Sequence, residues 1–267
     1  MLRAEIVQRA LETIRKGRAQ YEDFFDNLTS ADWVAPLAEA GFFRSPPRAH
    51  REGDTVSFSV WPESRYLARI AGASGAARVV LEAALGIPQT DNVLVHEDLV
   101  DVACGLPGPE AALLVERKLV AWEPSPFRSL LPKKIGALIG HLSREGQARQ
   151  ALELTKSTLR LLPDPRFEGG DSENELLLPE PKTLIDEWGY GEILRKHGSE
   201  LIAGTGLRGL ELLCSLLADA TRLSRRRGDD EAPEDHSEIW RPDIGSQRLP
   251  ERVQRLPCSV LGWISQH

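Results

Sequence analysis

The sequence predicts an all-α fold, an α-α superhelix or solenoid of short antiparallel helix pairs, and three observations predict it. Apolar side chains recur at three- and four-residue steps from residue 2 to residue 162. Proline- or glycine-bearing breakers interrupt those stripes every dozen to twenty residues. Strand-like runs never accumulate, so a parallel-sheet enzyme fold has nothing to be built from.

The elements follow in order. Leu2, Ile6, Ala10, Leu11 and Ile14 share one helical face, and Tyr21, Phe24, Phe25 and Leu28 mark a second helix. Thr29 and Ser30 offer capping hydroxyls, with Thr29 and Asp32 at capping-box spacing. Trp33, Val34, Leu37 and Ala38 carry the next stripe up to Gly41. Residues 44–60 break the pattern: Thr55 to Val60 alternate like an extended segment, and with no partner strand in view they predict an extended arm lying along helices. Trp61-Pro62 restarts the helices, because proline is tolerated in a first turn. Stripes at Tyr66, Leu67 and Ile70, then at Val79 to Leu85, lead to Gly86-Ile87-Pro88. Asn92 caps a helix carrying Val93, Val95, Leu99, Val100 and Ala103, which Gly105-Leu106-Pro107 stops. A further helix runs from Ala111 towards Trp122, and Pro132 opens another.

Length and composition bound the rest. The 267 residues suffice for one large domain or two ordinary ones, and the net charge of −7 removes the bulk basic footprint of a nucleic-acid binder. Three cysteines far apart, Cys104, Cys214 and Cys258, form neither a disulfide scaffold nor a zinc knuckle. That cysteine usage predicts a reducing, cytoplasmic setting, and no apolar run approaches a membrane span. Residues 1–226 read as one helical-repeat array with a soft joint at the acidic stretch 163–181. A polar linker follows at 227–247, and residues 248–267 read as an incomplete or poorly ordered end. Exposed apolar residues there, from Val260 to Ile264, predict the N-terminal part of a longer repeat protein, since a repeat array normally finishes in a polar capping unit.

From residue 135 to 163 the spacing resembles a tetratricopeptide repeat. Ile135, Leu138 and Leu142 lie on a first helix, Gly146 at the turn, Ala151 and Leu152 open the second helix, and Leu159 and Pro163 close it. The small Ala151 suits the point where two such helices cross. Ile139, Thr155 and Thr158 depart from the family pattern, and the remaining pairs resemble the looser HEAT or armadillo repeats. Three tracts, Trp61 to Leu67, Thr90-Asp91-Asn92 and Ser237 to Pro242, resemble stretches in the N-terminal helical region of large bacterial proteins, some associated with anti-phage defence. That resemblance implies a helical scaffold and no chemistry.

Motifs with a catalytic look have plainer readings. Gly204-Thr205-Gly206-Leu207-Arg208-Gly209 spells the dinucleotide signature, yet it needs a preceding strand, and residues 193–202 read as helix. A hinge between two helices is the expectation; nucleotide binding through Gly204, Gly206 and Gly209 is the alternative. His96-Glu97-Asp98 with Asp101 has Val100 where a zinc helix needs its second histidine, so a solvated acidic face is expected. His141 stands alone at a core edge, and Cys104 and Cys214 sit in apolar runs as small hydrophobes. Lys133, Lys134, Arg144 and Arg149 form one basic group and Arg222, Arg225, Arg226 and Arg227 another, which faces its own acidic run. The tryptophans, near helix ends, suit plugs between repeats. Together these readings predict a non-catalytic scaffold for protein–protein interaction, with no cofactor and no metal.

Overall fold

The computed structural model describes residues 4–53, 55–119, 131–159, 161–162, 182–183 and 187–216. Ten α-helices have both ends within them: α1 (Ala4–Ile14), α2 (Arg18–Asn27), α3 (Val34–Glu39), α4 (Pro62–Ile70), α5 (Ala77–Gly86), α6 (Val93–Gly105), α7 (Gly108–Leu114), α8 (Pro132–Arg144), α9 (Ala148–Leu159) and α10 (Glu187–Thr205). Residues 207–216 are also helical. The protein is all-α, with two small antiparallel strand pairs.

Local chemistry sets several of the helix ends. Asn92 Oδ1 accepts from the Leu94 amide at 3.0 Å and caps α6, and Ser30 caps the short 3-10 turn Ala31–Trp33 that leads into α3. Proline stands at the first turn of α4, α7 and α8, where its missing amide costs nothing. Gly146 adopts φ 72° between α8 and α9, a left-handed value that a side chain would strain. The helix expected from Ala111 onward changes character: α7 ends at Leu114, and a π-helical turn, Val115–Leu119, follows.

Packing alternates along the chain. α2 packs on α4, α4 on α6, α6 on α8, and α8 on α10; between them α3 packs on α5, α5 on α7, and the π-helical turn on α9. α10 lies against both α8 and α9, so the residues on either side of 163–181 share one core. The core runs from Leu11 to Leu216 and includes the fully buried Phe25, Leu37, Tyr66, Leu67, Leu99, Leu114 and Leu138.

The arm at 44–60 differs from expectation. Thr55–Ser57 (β2) does have a partner, His50–Glu52 (β1), antiparallel with Arg51 opposite Val56. The partner carries no apolar residue, which is why no strand was legible there. The arm is also tied to the turn before α6: the Ala49 amide donates to Asp91 Oδ1 at 2.8 Å, Thr90 Oγ1 to the Pro47 carbonyl at 2.6 Å, and Asn92 Nδ2 to the Ser59 carbonyl at 2.8 Å. Leu161–Leu162 (β3) pairs with Lys182–Thr183 (β4). The stretch between them, Pro163, the basic cluster at 222–227 and the segments 227–247 and 248–267 lie outside the described residues.

Candidate functional site

A groove of about 900 Å³ opens between the α1–α2 hairpin, the turn after α3 and the start of α4. A pocket with a few convergent polar groups is the natural place to look for binding. Its polar lining includes Tyr21 and Glu63, and its apolar walls include Phe42, Val60 and Trp61. Val60 is 45% exposed, unusual for a large apolar side chain among the described residues.

The floor is built by α4. The tract Trp61 to Leu67 places Trp61 as the buried residue before the helix and Pro62 at its first turn, so Glu63 and Ser64 fall at the helix start. Glu63, only 4% exposed, accepts a short hydrogen bond from the Tyr21 hydroxyl of α2. Burial pushes its carboxyl above the usual range, against the pull of Tyr21 and of its own backbone amide. Burial and the adjoining carboxyl also raise the Tyr21 hydroxyl well above the ordinary tyrosine range. Ser64 Oγ bonds the Trp61 carbonyl at 3.0 Å and meets Asp98 of α6. The Tyr66 hydroxyl donates to the Ser30 carbonyl at 2.7 Å. Thus Glu63, Ser64 and Tyr66, nearly consecutive, fasten α4 to three different neighbours.

Nothing in the local sequence spacing identifies this site. Tyr21 and Glu63 are 42 positions apart and Ser64 and Asp98 are 34 apart, distances that no periodicity links. Two of the tracts that resemble stretches of bacterial proteins, Trp61 to Leu67 and Thr90-Asp91-Asn92, are hydrogen-bonding hubs.

The acidic face of α6 requires a correction. His96 is buried, with Nε2 2.7 Å from the Thr90 carbonyl, and Asp98 is partly buried against Ser64. Asp101 and Glu97 face Lys134 of α8, whose Nζ lies 2.6 Å from Asp101 Oδ2 and 3.5 Å from Glu97. The face is therefore divided: His96 and Asp98 turn inward, while Glu97 and Asp101, each with 37% of the side chain exposed, pair with Lys134 at a partly solvated edge. Lys134, Arg144 and Arg149, expected as part of a basic group, are each ion-paired: Arg144 to Glu200 at 2.6 Å and Arg149 to Glu116 at 2.7 Å.

The glycine-rich run joins helix to helix. Gly204 lies in α10 against the backbone of Ser143, Gly206 turns at φ 60°, and helical residues follow from 207. The Gly206 amide bonds the Ile202 carbonyl at 2.7 Å, and the Gly209 and Leu210 amides bond the Gly206 carbonyl. The strand required by a dinucleotide cradle is a helix here, and those amides are already engaged.

The repeat-like residues come together as packing. Ile135, Leu138 and Leu142 of α8 and Ala151 and Leu159 of α9 are buried, while Leu152 is half-buried. Thr155, where the repeat pattern has an aromatic, is buried with its hydroxyl on the Ala151 carbonyl at 2.7 Å. His141 bonds the Leu106 carbonyl through Nε2 at 2.9 Å. The Cys104 thiol is pushed up to about 11 by burial, whereas Cys214, expected among apolar neighbours, is exposed. Among the described residues no group of three or more His, Cys, Asp or Glu is placed to hold a metal ion, and no helix is long and apolar enough to cross a membrane.

Neither a family model, a curated protein nor a solved structure matches the chain.

Proposed function

We propose that the chain is a non-catalytic helical-repeat scaffold for protein–protein interaction, its helix pairs stacked as a solenoid. The observation that carries this reading is the alternation of packing, α2–α4–α6–α8–α10 in one succession and α3–α5–α7 in another. Each pair buries its apolar faces against the next pair and leaves an extended outer surface for binding. The buried Ile135, Leu138, Leu142, Ala151 and Leu159 support a tetratricopeptide-like unit within that array. The chemistry-bearing motifs are absorbed as structure: His96, Cys104 and the glycine run all serve packing or hydrogen bonding.

The test is affinity purification of the tagged protein from its native host, followed by mass spectrometry and size-exclusion chromatography of the recovered complex. A partner held at fixed stoichiometry through gel filtration is the expected result. Recovery of the chain alone, or a stabilising thermal shift with ATP, GTP or NAD that Gly206→Ala abolishes, would overturn the scaffold reading.

A further inference from the structure

We draw no further inference here: the strongest candidate, the groove between the α1–α2 hairpin, the turn after α3 and the start of α4, carries none, because Arg15, Arg18 and Arg65 line it against Glu22, Asp26 and Glu63, Tyr21 already engages Glu63, and nothing in the structure shows what covers it.

Discussion

Ser64 and Asp98 share one hydroxyl proton with a third group. Ser64 Oγ touches both the Asp98 carboxyl and the Trp61 carbonyl, so an ionised Asp98 competes with Trp61 for a single donor. A protonated Asp98 donates to Ser64, which then serves Trp61, and all three groups are satisfied. Burial, the largest influence, lifts the Asp98 carboxyl to about 6, with Asp101 and Glu97 adding to the rise and Ser64 and Arg65 opposing it.

This seam makes stability fall as pH rises. The carboxyl binds its proton more tightly in the folded state than in the unfolded chain, where its value is 3.8. The folded state therefore holds more protons between about pH 4 and pH 6, and ΔG of unfolding declines across that window. The contribution lost by pH 7 is roughly 2–3 kcal/mol. Asp98→Asn keeps a donor for Ser64 and carries no charge. Its melting temperature should exceed that of the unaltered protein at pH 7.5 by several degrees, and the difference should shrink towards zero at pH 4. A constant difference across that range would rule out this account of the seam.

Arg69 forms a second tie from α4. Its Nη1 lies 3.0 Å from the Phe25 carbonyl, 3.0 Å from the Asp26 carbonyl and 2.9 Å from the Leu28 carbonyl where α2 ends, the first of which also accepts from the Leu28 amide. A cation there also meets the negative end of the helix dipole. Arg69→Ala should cost about 2 kcal/mol and lower the melting temperature by roughly 4–8 °C. Arg69→Lys, shorter but still charged, should recover part of that. Thermal denaturation checks both, and an alanine variant within about 1 °C of the parent would show the carbonyls well served by water.

These ties mark the limit of what the sequence makes legible. Asn92, Pro62, Pro132 and Gly146 set helix ends through chemistry within a few residues, so their roles are visible locally. Periodicity likewise identifies the faces of α4 to α9. It does not say what covers a face. Ile6 belongs to the α1 stripe and is 51% exposed, and Leu207, which opens the helical residues 207–216, is 70% exposed. His96 looks polar beside Glu97 and Asp98, yet a carbonyl six residues earlier takes its ring nitrogen into the core. The Glu63 site is invisible for the same reason: its meaning depends on Tyr21, which only the fold brings near.

Two glycines of one helix, α10, give the sharpest test of the packing. Around Gly198 an added methyl group meets nothing within 4 Å among the described residues, so Gly198→Ala gains helix propensity without a clash there and should stabilise by about 0.5–1 kcal/mol. Six residues on, a methyl group at Gly204 would run into the Ser143 carbonyl of α8, with the carbonyl carbon at 2.8 Å. Backbone cannot rotate away as a side chain does, so α10 must shift, and Gly204→Ala should destabilise by about 1–3 kcal/mol. Gly206→Ala should cost about 1 kcal/mol through its φ of 60° alone. Chemical denaturation of the three variants gives the sign of each effect. Opposite signs for Gly198 and Gly204 place the glycine-rich run in the α8–α10 contact, whereas a neutral Gly204→Ala would mean that the two helices do not approach so closely.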